Sequence, residues 1–242
     1  MNAIEIKDLR KTYGAVTAVD CLTLSVGEGE LFVLLGVNGA GKTTTIRMLT
    51  GLAAPTGGDA LLCGSSIVRE PEAVKALSAC SPQETAVAPN LTVRENLELM
   101  AGIYGVAQPK RAAETMIAEM NLGDVAARRA RTLSGGWQRR LSIAMALITG
   151  PRVLFLDEPT LGLDVLARRE LWQHIRALKG KMTIVLTTHY MEEAESLSDR
   201  IGVMAHGKLI AVGTAAELME RTGKTTFEDA FVAIAGGEGV QA

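Results

Sequence analysis

A five-residue apolar run, Leu31-Phe32-Val33-Leu34-Leu35, leads directly into Gly36-Val37-Asn38-Gly39-Ala40-Gly41-Lys42-Thr43, and a helical stretch at 43–50 follows. This order of strand, glycine-rich loop and helix constrains the chain more than any other feature. A run that is apolar at every position fits a strand buried on both faces. The loop fits G-x-x-x-x-G-K-[ST] in the setting that motif requires. Its glycines let backbone N–H groups turn inward around phosphate oxygens. The helix behind it adds its own N-terminal N–H groups to the same anion. Lys42 is expected to reach the β- and γ-phosphates of a nucleotide, and the Thr43 hydroxyl to bind Mg²⁺. Gly36, Val37, Asn38, Gly39, Ala40, Gly41 and Thr44 complete the expected loop contacts.

A second apolar run, 153–156, ends in Asp157-Glu158. A carboxylate at the C-terminal end of a buried strand faces the same crevice as the phosphate loop. Asp157 is expected to hold the hydration shell of Mg²⁺, and Glu158 to polarise the attacking water as general base. Further strands are expected at 4–7 and 22–26, where apolar and polar residues alternate, and at 59–63, 77–80, 183–187, 201–205 and 208–212. His206-Gly207 reads as a hairpin turn between the last two. From 93 to about 150 the apolar positions recur at helical spacing, for example Leu97, Met100 and Ile103, then Met116, Ile117 and Met120. Another helix is expected at 166–178. Strands alternating with helices imply a mostly parallel sheet.

Composition excludes several classes. Hydrophobic residues are 48% and charged residues 21%, which rules out a disordered chain. The net charge of −2 argues against a general nucleic-acid binder. No apolar run approaches the roughly 20 residues of a membrane span, and the start, MNAIEIKDLRK, lacks the apolar core of a signal peptide. Cys21, Cys63 and Cys80 are scattered and form no metal-ligand pair, so buried free thiols in a reducing cytosol are expected.

Leu133-Ser134-Gly135-Gly136 makes the reading specific. The chain resembles the nucleotide-binding subunit of an ATP-binding-cassette (ABC) transporter over about residues 4–234. Tyr13, the phosphate loop, Gln83, the LSGG signature, Asp157-Glu158 and His189 follow one another in the family's order. The resemblance implies an α/β fold: a P-loop NTPase core with a mostly parallel sheet, N-terminal antiparallel strands and an inserted helical subdomain. It implies one ABC ATPase domain over 1–242, with core at 1–82 and 151–235, helical subdomain at 83–150 and a disordered tail at 236–242. Tyr13 would stack on adenine. Gln83 would sense Mg²⁺ and the attacking water, so that Thr43, Gln83 and Asp157 surround the metal. His189 would contact the γ-phosphate and orient Glu158, giving Glu158, His189 and Gln83 as the catalytic set. Ser134, Gly135 and Gly136 precede a helix expected at 138–148 and would complete the ATP site of a second copy. Asp164 would cross the dimer interface, and it also suits a helix N-cap before Val165.

Two positions depart from the family pattern. Trp137 stands where Gln is most common, and reads either as a partner contact or as an aromatic packed beside the helix start. Val37 replaces a common Pro and should be harmless. Arg128, Arg129, Arg131, Arg139 and Arg140 flank the signature. They are expected on a solvated face or in inter-subunit salt bridges rather than on nucleic acid. His174 and His206 read as structural.

The expected function is that of an ATPase subunit that binds and hydrolyses Mg-ATP in a head-to-tail dimer and drives transport through separate membrane permease subunits. Its partners would be a second copy or a paralogous ATPase subunit, and the permease, with no nucleic acid. It would sit on the inner face of the cell membrane. His189-Tyr190-Met191-Glu192-Glu193-Ala194-Glu195 and Thr226-Phe227-Glu228-Asp229-Ala230-Phe231 resemble the drug, lipid and peptide exporter branch. An importer subunit and a soluble, non-transport ABC ATPase are the alternatives. Against the second, residues 42–134 carry no sustained heptads of the kind found in DNA-repair members. A P-loop GTPase would need an N-K-x-D motif, which the sequence lacks.

Overall fold

The alternation at 4–7 and 22–26 marks parts of two longer strands. In the computed structural model, which describes residues 1–237, β1 (Asn2–Tyr13) and β2 (Val16–Gly27) pair antiparallel, with Ile4 opposite Val26 and Ile6 opposite Leu24. They outrun the expected segments because the ladder continues through register shifts, such as that between Ile6 and Leu9, where the alternation breaks.

Strand β3 (Leu31–Leu35) is buried at every position. Leu31, Val33 and Leu35 enter one hydrophobic core, and Phe32 and Leu34 enter another, as the two-residue period of a strand requires. Helix α1 (Lys42–Leu49) starts at the end of the glycine loop. Strand β4 (Gly57–Leu62) adds antiparallel to β1, and β5 (Ser65–Ser66) to β4, which closes a four-stranded antiparallel sheet. Helix α2 (Pro71–Leu77) leads into β6 (Ser78–Ser81).

The helical layer comprises α3 (Val93–Ile103), α4 (Pro109–Glu119) and α5 (Gly135–Leu147). A capping box starts α3: Thr92 Oγ1 accepts from Glu95 N, and Thr92 N donates to Glu95 Oε2. Leu97, Met116, Ile117 and Leu141 share one core with Leu31, Val33 and Leu35. Helix α5 begins three residues before the expected 138, with Ser134 as its N-cap and the two glycines in its first turn. Glycine weakens a helix interior, but a Cβ at Gly136 would stand 3.0 Å from Ala167 Cβ. Close packing between helices thus outweighs the local preference.

The second half returns to strands and helices: β7 (Val153–Asp157), α6 (Val165–Leu178), β8 (Thr183–Thr188), α7 (Met191–Leu197), β9 (Arg200–Ala205), β10 (Lys208–Gly213), α8 (Ala215–Thr222) and α9 (Phe227–Ala235). The six-stranded sheet runs β10-β9-β3-β8-β7-β6 and is parallel except for β10. The β9–β10 hairpin turns at His206-Gly207, both at positive φ. Phe227, Phe231 and Ile234 of α9 pack into the same core as β3. Gly236 and Gly237 form a turn after α9, and the expectation of a disordered tail otherwise falls on 238–242, outside the described residues. Among the described residues no helix is long and apolar enough to cross a membrane.

The expectation of buried thiols fails. The cysteines are free, but Cys21 is exposed and Cys63 and Cys80 are only partly buried. Cys21 has a left-handed backbone in β2, where it faces solvent. Cys80 has a thiol pushed up to about 12, by burial first and then by the charge of Asp157.

Candidate functional site

The parallel register places the ends of β3, β7 and β8 side by side, with Leu35 beside Thr188 and Asp157 beside Thr187. The loop after β3 needs its glycines for space. A Cβ at Gly36 would lie 2.4 Å from the Met204 carbonyl oxygen, and one at Gly41 would lie 2.5 Å from that of Ala18 at a φ of +103°. Lys42, the first residue of α1, turns back over the loop. Its Nζ donates to Gly36 O at 2.7 Å and Val37 O at 3.3 Å, and pairs with Glu158 Oε1 at 3.1 Å.

Glu158 follows β7 in a left-handed conformation with φ of 48°, uncommon for a residue with a side chain. Its N–H is held by the Thr187 carbonyl and hydroxyl, each at 3.1 Å. Its other carboxylate oxygen accepts from His189 Nδ1 at 2.8 Å. The imidazole stacks at a tilt on Tyr190, with ring centres 4.1 Å apart. Lys42, Glu158 and His189 therefore form a continuous chain of contacts, and backbone strain at Glu158 is held in place by β8.

A cavity of about 480 Å³ opens over this chain. It is lined by Asn38 to Thr44 of the loop and α1, by Tyr13 at the end of β1, and by Gln83, Glu158, Leu161 and His189. Tyr13 is half exposed, with Lys11 Nζ 4.9 Å from its ring centre. Asp157 lies just beneath, buried, and accepts from Thr43 Oγ1 at 3.1 Å and from Thr187 Oγ1 at 2.5 Å. Among the described residues no cluster of three or more His, Cys, Asp or Glu side chains could hold a metal. The Thr43–Asp157 oxygen pair instead suits Mg²⁺, which takes few protein oxygens and fills its shell with water and phosphate.

Ser134, Gly136 and Asp164 are elsewhere. They line a second depression, of about 190 Å³, with Trp137, Arg140 and Glu170, and none of its residues lines the first. Gly135, also in the first turn of α5, would bring a Cβ within 3.8 Å of Leu163 Cδ2. Asp164 is the N-cap of α6, its Oδ1 accepting from Leu166 N and Ala167 N at 2.9 Å each.

The sequence profile of the ABC transporter family matches residues 19–161. The chain is 45% identical over 221 residues to the Nod factor export ATP-binding protein I of Paraburkholderia xenovorans, covering 90% of this chain and 72% of that protein. It is 43% identical over 224 residues to the daunorubicin/doxorubicin resistance ATP-binding protein of Streptomyces peucetius, covering 91% and 68%. A solved structure described as an ATP-binding subunit of an ABC transporter superposes with a TM-score of 0.85 at 30% identity, covering 96% of this chain and 99% of that one. The chain belongs to the ABC transporter family. It also spans about a quarter of the length of several plant relatives.

As an ABC ATPase, the chain takes ATP and couples its hydrolysis to transport. The fold follows the expected α/β P-loop pattern. The arginines around the signature match expectation only in part: Arg128, Arg129 and Arg131 are exposed. Arg139 and Arg140 are buried rather than solvated: Arg139 donates to the Pro82 and Gln83 carbonyls, and Arg140 Nη2 to Glu170 Oε2 at 2.7 Å. Trp137 is partly buried against the core, with the Arg140 guanidinium 4.4 Å from its ring centre. Sequence reasoning missed Thr187, whose hydroxyl donates to the Asp157 carboxylate and which holds the backbone N–H of Glu158. The available signal was a pair of polar residues, Thr187-Thr188, ending an apolar strand.

Proposed function

We propose that the chain binds and hydrolyses Mg-ATP in a head-to-tail dimer and powers export through separate membrane subunits. The observation that carries this reading is the separation of the two depressions. The phosphate loop, Glu158 and His189 share one cavity, while Ser134, Gly136 and Asp164 line another. A second copy, or a paralogous ATPase subunit, facing the first in the opposite sense would bring each signature helix N-terminus to a γ-phosphate, where N–H groups and the helix dipole favour negative charge.

In this reading Tyr13 stacks on the base, residues Gly36 to Thr44 cradle the phosphates, and Lys42 reaches the β- and γ-phosphates. Thr43 and Asp157, with Gln83 at the cavity wall, are the residues that would hold Mg²⁺. When bound, the ion neutralises charge on the β- and γ-phosphate oxygens. Glu158 takes the proton of the attacking water, and His189 keeps that carboxylate in place through its 2.8 Å contact. Residues 1–82 and 151–235 act as the catalytic core, and 83–150 as the helical part that passes the cycle to the permease. The chain would therefore work on the inner face of the membrane. Export is favoured over import because the two bacterial relatives above are named for export and for drug resistance.

The test is phosphate release from ATP by the purified chain, with and without Mg²⁺. Mg²⁺-dependent turnover that Lys42→Ala abolishes supports the reading. Turnover that survives Lys42→Ala contradicts it.

A further inference from the structure

Gln83 lies in the connection between β6 and α3, exposed and outside any helix or strand, yet it lines the phosphate cavity. Its backbone is held from one side by a single guanidinium. Arg139 Nη1 donates to Pro82 O at 2.6 Å, and Nη2 donates to Gln83 O at 2.5 Å. Arg139 is on α5, the helix whose N-terminus is the LSGG signature, and is 4% exposed. Three residues along the same helix, and hence on the same face, Ser142 Oγ meets Ser81 Oγ at 2.9 Å, both buried. The two contacts form a seam from the end of β6 to Gln83.

A buried cation normally has a carboxylate partner. The neighbouring Arg140 has one in Glu170, whereas the hydrogen bonds of Arg139 go to two neutral carbonyls. Burial accordingly lowers its affinity for its proton, opposed only by the charge of Asp157. A planar guanidinium with parallel donors fixes two successive carbonyls in direction as well as distance, which a lysine cannot do.

We propose that Arg139 is a positioning residue that sets where Gln83 enters the phosphate cavity, so that movement of the signature helix moves Gln83 with it. This rests on the ATPase reading above and adds to it a rigid link, within one chain, between the signature and the catalytic cavity. Misplacing a group near the reacting atoms by about 1 Å can cost about 10²-fold in rate while leaving binding largely intact.

The experiment is a double-mutant cycle on the full chain, using Arg139→Gln, Gln83→Ala and the pair. ATP turnover is measured beside the affinity for a fluorescent ATP analogue in the absence of Mg²⁺. Wild-type turnover in the same assay checks the ATPase reading separately. Arg139→Gln should lower kcat by about 10-fold or more with analogue affinity within about twofold of wild type. The double variant should be no slower than the worse single one, because both remove the same contribution. Amide hydrogen exchange at 83–88 should quicken in Arg139→Gln. Arg139→Lys, which keeps the charge but lacks the planar pair of parallel donors, should show the same split with a smaller loss and covers the case in which the Gln variant does not fold. Unchanged kcat, losses that multiply, or analogue affinity falling in step with kcat in both Arg139 variants would overturn the proposal.

Discussion

Lys42 Nζ lies 3.1 Å from Glu158 Oε1, and both side chains are almost wholly buried. The cation proposed to bind phosphate and the carboxylate proposed as general base thus neutralise one another. An ammonium has three donors, and those of Lys42 are directed at Gly36 O, Val37 O and Glu158. A γ-phosphate reaching Lys42 has to compete with Glu158 for it, which frees the carboxylate as the nucleotide settles. Glu158→Gln removes the competing charge and the proton acceptor together, while Lys42 retains its two carbonyl partners. The variant should bind ATP at least as tightly as wild type and lose about 10²–10⁴-fold in turnover. Size-exclusion chromatography with light scattering should show an ATP-dependent dimer. Normal turnover would remove Glu158 from the base role.

Tyr13 ends β1 at the cavity wall with half its surface free. Stacking of a base on an aromatic ring contributes about 1–3 kcal/mol and tolerates any base. Tyr13→Ala should weaken ATP binding by about 5- to 150-fold, and Tyr13→Trp should restore it. Titration of both variants with a fluorescent ATP analogue is the check. Unaltered affinity in Tyr13→Ala would assign the ring to packing against the sheet.

Glu193 of α7 is fully buried, and Trp172 Nε1 donates to its Oε1 at 2.9 Å. Burial pushes its carboxyl above the ordinary value of 4.5, and the charge of Glu158 adds to the shift against hydrogen bonds that lower it. The folded protein therefore keeps a proton that the unfolded chain has already released. Stability from this group is full below the unfolded value and is lost as pH rises through the folded one. Glu193→Gln keeps an acceptor for Trp172 and has no proton to lose. Its stability relative to wild type, from urea titrations over a pH series starting near 4.5, should rise with pH. A difference that stays flat would mean that Glu193 is ionised in the folded protein.

The parts of the site that were legible in the sequence are those where chemistry dictates residue type locally. Gly36 to Thr43, Asp157-Glu158 and Leu133 to Gly136 each bring their reactive groups together within a few residues. The alternating strand and helix pattern likewise disclosed the parallel sheet, since burial on both faces leaves continuous apolar runs such as β3 and β7. What the sequence hid depends on distant neighbours. Thr187 is an ordinary strand residue until parallel pairing sets it beside Asp157. Gly135 and Gly136 look like a loop until Ala167 packs against the first turn of α5. Arg139 looks like part of a solvated charge run until the 82–83 carbonyls cover it.

Action of the signature across a dimer is the central claim, and mixing two variants measures it directly. Lys42→Ala removes the phosphate contact of its own copy but retains a sound signature. Ser134→Arg sets a bulky cation at the N-cap of α5 but retains a sound phosphate loop. Each homodimer should be inactive, for different reasons. A mixed dimer contains one site with both lesions and one intact site, so phosphate release should reappear when the two proteins are combined, with the permease present if dimers form weakly. Complete inactivity of a demonstrated mixed dimer, or normal hydrolysis by Ser134→Arg alone, would contradict the head-to-tail account.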